Sequence, residues 1–190
     1  MWTTVACLVD ERAGFQVPYQ SWLSAGRARA GWPLVVLFSG ARRSLPRMDV
    51  ELRQITSETV RAICELEVAA DQRSFVAPNA VSIAEAHFTP GHWMRAIYAD
   101  GQPVGFVLTF DEPSEGYFLW RFMIAAGQQR RGIGRRAMQQ VLEHWRELGA
   151  TAARTSVVPS NIGATRLYES LGFRLTGEED DGELVMSLDM

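Results

Sequence analysis

Residues 125–145 read AAGQQRRGIGRRAMQQVLEHW. A Gly-x-Gly, Gly132 to Gly134, stands among four arginines, and an amphipathic pattern follows at once. Ala137, Met138, Val141, Leu142, Trp145 and Leu148 recur at helical spacing, which predicts a helix of about 16 residues ended by Gly149. Glycines that open a helix let its bare N–H groups approach an anion, and the helix dipole adds partial positive charge at that end. The stretch before the loop, GYFLWRFMI (116–124), is almost wholly apolar, as expected of a strand at the centre of a sheet. The segment therefore reads as central strand, anion-binding loop and helix.

Working outward, VELRQI (50–55) alternates like a strand. TSETVRAICELEV (56–68) has Thr56 or Ser57 as a cap and then Val60, Ile63, Cys64 and Leu66 on a helical period. APNAVSIAEAHF (77–88) predicts a second short helix starting at Asn79 or Ser82. Two apolar runs around Asp100–Gly101 predict a hairpin. After the glycine loop and its helix come a strand, AARTSVV (152–158), and a helix, NIGATRLYESLG (161–172), capped by Asn161 or Ser160 and ended by Gly172. FRLTGE and ELVMSLD form a closing hairpin around Asp180–Asp181–Gly182. The order implies an α/β (α+β) fold with a mixed, mostly antiparallel central sheet flanked by helices. Residues 1–47 have little sustained periodicity and read as a disordered leader or a small packed appendage, with the domain proper at 48–190 and Met48 as a candidate start.

All 19 basic residues are arginine, and the net charge of −3 is uneven. Six arginines face two acids before Met48, whereas the remainder carries 13 arginines against 20 acids. An acidic body argues against nucleic acid and favours a cationic small partner. Cys7 and Cys64 and the scattered His87, His92 and His144 have no metal-type spacing, so no metal is expected. No segment reaches the roughly 20 apolar residues of a membrane span. WPLVVLF (32–38) lies late, behind Arg27 and Arg29, and makes a poor secretory signal, so a cytoplasmic location is the default.

Phosphate motifs can be tested against the glycine loop. A Walker A loop requires lysine, which this chain lacks. GIGRRA fits G-x-G-x-x-A, but seven residues separate Gly132 from Ile124, and 151–160 offers no acid to hold a ribose. Gln129, Gly132 and Gly134 instead satisfy Q-x-x-G-x-G. This resembles the acetyl-CoA signature of the GCN5-related N-acetyltransferase (GNAT) superfamily. NIGATRLYESLGF (161–173) resembles the superfamily's second signature, N-x-x-A-x-x-L-Y-x-x-x-G-F, matched at Asn161, Ala164, Leu167, Tyr168, Gly172 and Phe173. The domain from Met48 is most similar to the bacterial spermine/spermidine (diamine) acetyltransferases.

The resemblance implies acetyl-CoA as cosubstrate. Its expected contacts are the strand residues Phe122, Met123 and Ile124, the loop and helix start Gln129, Arg130, Arg131, Gly132, Ile133, Gly134 and Arg135, and Asn161. An amine attacks the thioester directly, the Ile124 backbone N–H meets the oxyanion, and Tyr168 protonates the departing thiolate. Relatives place a glutamate on the central strand or the next one, but FLWRFMI and ARTSVV contain no carboxylate. Asp111, Glu112, Glu115 or a water chain to one of them stays open as the base. For a polyamine acceptor, Glu65, Glu67, Asp71 and Glu85 are expected in the groove, with Trp93, Trp120 and Phe88 as aromatic walls. Protein N-termini, an aminoglycoside-type amine, or acetyl-CoA binding without catalysis are the alternatives. A homodimer is expected by analogy alone.

Overall fold

The computed structural model describes residues 5–7, 48–112 and 116–190, which all fall in one compact unit. Eight strands and four helices follow one another as β1 (Val5–Cys7), β2 (Val50–Arg53), α1 (Val60–Cys64), α2 (Asn79–His87), β3 (His92–Ala99), β4 (Gln102–Glu112), β5 (Gly116–Ile124), α3 (Ile133–Glu147), β6 (Ala152–Val157), α4 (Ile162–Ser170), β7 (Arg174–Asp180) and β8 (Glu183–Asp189). From β2 onward this is the expected order. The sheet runs β2-β3-β4-β5-β6-β8-β7, antiparallel except where β5 meets β6. The strand β1 belongs to the stretch read as lying outside the domain. It pairs in parallel with β5, setting Val5, Ala6 and Cys7 against Arg121, Phe122 and Met123.

Two apolar layers cover the sheet. On one face α3 buries Ala137, Met138, Val141, Leu142 and Trp145, the predicted stripe without Leu148, against Leu119, Phe122 and Ile124; Ala164, Leu167 and Tyr168 of α4 join them. The Trp145 indole N–H donates to Asp111 across 2.7 Å, so the buried ring keeps a polar partner. On the other face Ile63 of α1 and Ala86 of α2 pack over Ala96, Phe106, Leu108 and Trp120.

The helix α1 stops at Cys64, short of the predicted Leu66. The carbonyl of Glu67 instead accepts from the Ala126 N–H at 2.9 Å, which draws the chain out of the helix toward the end of β5. The helix α2 starts at Asn79, one of the two expected starts, with Pro78 before it. The Asn79 side chain is spent elsewhere, donating to the Ile63 carbonyl at 2.8 Å and tying the two helices together.

One position fixes how closely β4 and β5 approach. A Cβ at Gly105 would run into the Met123 carbonyl oxygen and come within 2.8 Å of Ile124 Cδ1. Only glycine fits there.

Candidate active site

The strands β5 and β6 are joined only from Tyr117–Leu119 to Ala153–Thr155. At the last pair the Thr155 hydroxyl donates to the Leu119 carbonyl across 3.2 Å. Beyond that vertex β6 continues beside β8 and β5 beside β4, so the two strands part, and β1 pairs with the β5 edge that this opening leaves.

A bulge lies at the vertex. Thr109 faces Leu119 and Leu108 faces Arg121, leaving Trp120 as the extra residue. Tyr117 and Leu119 therefore face α3 and α4, and past the bulge Phe122 and Ile124 do so. Trp120 and Arg121 point consecutively to the α1/α2 side. Arg121 is buried there, donating to the Trp120 carbonyl at 3.0 Å and meeting Glu85 of α2 at 3.3 Å. Burial lowers the Arg121 pKa, while the carboxylates of Glu85 and Glu183 act the other way. The guanidinium remains charged.

The register also settles where the backbone of β5 points. The Ala125 N–H donates to the Val104 carbonyl, so Gly105 and Ile124 form a pair without mutual hydrogen bonds. The N–H and C=O of Ile124, and of Phe122 two residues earlier, consequently point away from β4 toward the opening. The edge at Arg121–Met123 is the one that β1 takes.

The glycine loop closes the C-terminal end of β5. Arg130 (φ 60°) and Gly132 (φ 75°) are left-handed with Arg131 between them, a backbone alternation that converges successive N–H groups on one side. No side chain caps α3 at Gly132, so its first-turn N–H groups have no side-chain partner at the cap. Ile133 and Gly134 are buried at the helix start, while Arg130, Arg131 and Arg135 are exposed. The Arg135 guanidinium donates to Ser170 at 2.7 Å, Arg131 to Gln128, and Arg136 to the Met48 carbonyl. The Gln129 side chain donates to the carbonyl of Ile124 at 2.9 Å and to Gln72 at 2.8 Å, locking the loop to the strand.

On the far side of the opening, Asn161 Oδ1 caps α4 by accepting from the Ala164 N–H at 3.1 Å. Its Nδ2 is buried without a hydrogen-bond partner. Tyr168 is fully buried two turns further on, its ring 5.6 Å from Phe173. An uncapped helix start, a converging loop backbone, nearby arginines and an orphaned buried amide suit the anionic and amide groups of coenzyme A.

A cavity of about 650 Å³ occupies the α1/α2 side from the vertex toward β7. Trp120, Phe118 and Phe110 form its aromatic wall, Ser156 lies beside the opening, and Glu178, Glu179 and Asp180 supply carboxylates from β7. Arg154 pairs with Glu178, leaving two acids uncompensated by it. None of the four acids expected in an acceptor groove lines this cavity. Glu85 is engaged with Arg121, Glu67 pairs with Arg73 at 2.8 Å beside a smaller hollow, and Glu65 and Asp71 are exposed. Of the three expected aromatics only Trp120 takes part. Trp93 stacks on His144 at 4.3 Å, and Phe88 is exposed.

The expected bases are also elsewhere. Asp111 pairs with Tyr117, seven residues and roughly 23 Å along β5 from Ile124. Both its oxygens are taken, by His144 at 3.0 Å and Trp145 at 2.7 Å. Glu112 lies at the same end, opposite Gly116, and Glu115 falls outside the described residues. The buried carboxylate at the opening is Glu183, which sequence reasoning passed over. Its one signal was alternation, since Glu183 and Val185 fall on the same face of β8.

A sheet split between two parallel strands, with an uncapped helix start at its mouth, is the framework of an acyltransferase that draws on a coenzyme A thioester. The chain belongs to the acetyltransferase (GNAT) family, whose model matches residues 52–173. It is an acetyl-CoA-dependent N-acetyltransferase. The spermine/spermidine N(1)-acetyltransferase of Bacillus subtilis (strain 168) is 29% identical over 148 residues, covering 73% of this chain and 97% of that protein. Among solved structures, the PaiA N-acetyltransferase of Thermoplasma acidophilum in complex with coenzyme A superposes with a TM-score of 0.60 at 14% identity, over 75% of this chain and all of that one. The ribosomal-protein-S18-alanine N-acetyltransferase of Escherichia coli gives 0.59 at 20% identity, over 74% and 94%. At these identities the two structures speak for the fold. Among the described residues no helix is long and apolar enough to cross a membrane.

Proposed function

We propose that the acceptor is a primary amine of a polyamine such as spermine or spermidine, and that residues 48–190 form the domain that acetylates it in the cytoplasm. The observation that carries this reading is the cavity beside the opening. Its aromatic wall suits an alkyl ammonium chain, and its carboxylates on β7 suit a second and third positive charge. The similarity to spermine/spermidine acetyltransferases points the same way.

Bound acetyl-CoA supplies the acetyl thioester. The backbone of 130–135 and the start of α3 hold its pyrophosphate, with Arg130, Arg131 and Arg135 adding charge around it. The Asn161 amide donates to an acceptor of the bound molecule. The Ile124 N–H, turned to the opening, stabilises the negative charge that grows on the carbonyl oxygen. The Tyr168 hydroxyl gives its proton to the departing sulfur, whose pKa lies near that of cysteine, about 8.5. No covalent enzyme intermediate is needed.

The test is thiol release from acetyl-CoA by the full chain with spermine, spermidine, putrescine, aminoglycosides and short peptides as acceptors. Selective turnover of polyamines is expected. The double variant Glu179→Gln, Asp180→Asn should raise KM for spermine at least tenfold with little effect on kcat. Turnover of peptides or aminoglycosides alone would overturn the polyamine reading and keep the chemistry. Tight acetyl-CoA binding with no acceptor used would make the domain a binding module.

A further inference from the structure

An alkyl ammonium with a pKa near 10.4 is about one part in a thousand neutral at pH 7, so an acceptor amine must lose a proton before it attacks. Among the described residues Glu183 is the most deeply buried carboxylate, at 3% exposure; the Asp111 side chain, 7% exposed, lies at the other end of β5. It stands at the start of β8, directly after the turn that follows β7. The Ser156 hydroxyl, itself 1% exposed, donates to Glu183 Oε2 across 2.5 Å. Ser156 is the first residue of β6 past the vertex and lines the acceptor cavity.

We propose that Ser156 and Glu183 form a proton relay that neutralises the acceptor amine. The inference rests on the amine-acetylating reading above. The ammonium gives a proton to Ser156 Oγ as the Ser156 proton passes to Glu183 Oε2. This leaves a neutral amine, an unchanged serine and a neutral carboxyl, which later releases its proton to water. An ammonium has three N–H protons and the product amide one. The first proton lost leaves through the relay, and the second goes to the phenolate that Tyr168 becomes on protonating sulfur, which restores the tyrosine. The two proton paths lie on opposite faces of the sheet, Tyr168 on the α3/α4 side and Ser156 on the α1/α2 side.

The surroundings bear on how the carboxylate holds its charge. Arg121 of β5 faces Glu183, with Glu85 of α2 beyond it. Arg154 of β6 lies along the cavity with Glu178, Glu179 and Asp180 of β7.

The variants Glu183→Gln and Ser156→Ala of the full chain test the relay. Calorimetry gives their affinities for acetyl-CoA and for spermine, and kcat/KM is followed from pH 6 to 10. Both affinities should stay within twofold of the wild type. At pH 7 kcat should fall about a hundredfold. The deficit should shrink as pH rises, because the logarithm of the variant rate climbs with slope one toward the amine pKa. Profiles parallel to the wild type, or weakened spermine binding with kcat retained, overturn the relay. Should Glu183→Gln fail to fold, Ser156→Ala carries the same prediction. If the wild type prefers another amine, the variants are compared on that amine. A wild type that acetylates no amine overturns the reading and the relay together.

Discussion

The Gln129 amide donates to the carbonyl of Ile124 across 2.9 Å, fastening the glycine loop to the last residue of the central strand. The same Gln129 nitrogen reaches Gln72 at 2.8 Å, so three segments meet at one side chain. Gln129→Ala should release the loop and raise KM for acetyl-CoA about tenfold, the equivalent of one hydrogen bond near 1.4 kcal/mol. A smaller effect on kcat is expected, since Ile124 keeps its pairing with β4. Steady-state kinetics with acetyl-CoA varied at saturating amine measures both.

Asn161 does two tasks with two atoms, and substitution can part them. Asn161→Asp keeps the oxygen that caps α4 and removes the buried donor. Thermal stability should hold while acetyl-CoA binding weakens. Asn161→Ala loses the cap as well and should cost about 1 kcal/mol of stability. Thermal melts beside calorimetric titration distinguish the two, and equal binding by Asn161→Asp and the wild type would remove Nδ2 from the site.

Tyr168→Phe leaves a ring of nearly the same volume in a fully buried place. An acid that protonates the leaving thiolate is worth a hundredfold or more in rate. The expectation is a fall of about that size in kcat, acetyl-CoA affinity unchanged and only a small shift in Tm. Full activity in this variant would confine Tyr168 to the core.

Gly105→Ala is expected to be costly in spite of its size. The added carbon meets the Met123 carbonyl and Ile124, both on β5, and overpacking of this kind costs roughly 1–3 kcal/mol. A drop of several degrees in Tm should come with lower kcat, because the strand that must move carries the Ile124 N–H.

The helices around the opening were legible because each carries its own local signals. Gly132, the apolar stripe of α3 and the Asn161 cap mark their elements without help from the rest of the chain. The bulge at Trp120 was not, since period-two alternation cannot be read in a strand that is apolar on both faces. That missed phase change is what turns Arg121 inward to meet Glu85, an acid the sequence had assigned to a substrate groove. Glu183 stayed hidden for a related reason. A carboxylate after an Asp-Asp-Gly turn reads as solvated until the pairing of β6 with β8 sets it beside Ser156. The carboxylates of β7 needed the same tertiary information, because only the folded sheet brings them round to Trp120.

The pairing of β1 with Arg121–Met123 gives the protein a built-in competitor. The backbone of Phe122 can serve one neighbour at a time, and both β1 and the proposed cosubstrate ask for that edge. A strand tethered to its own target acts at an effective concentration on the order of millimolar. The observed dissociation constant for acetyl-CoA then equals the intrinsic one divided by the fraction of molecules whose edge is vacant. Cys7→Pro, which deletes the N–H that the register sets against the Phe122 carbonyl, should shift that fraction and tighten acetyl-CoA binding in calorimetry. Equal affinity in the two proteins would mean that strand and cosubstrate do not contend for β5. On this reading cellular acetyl-CoA sets more than the rate of turnover, because its concentration decides which partner completes the sheet.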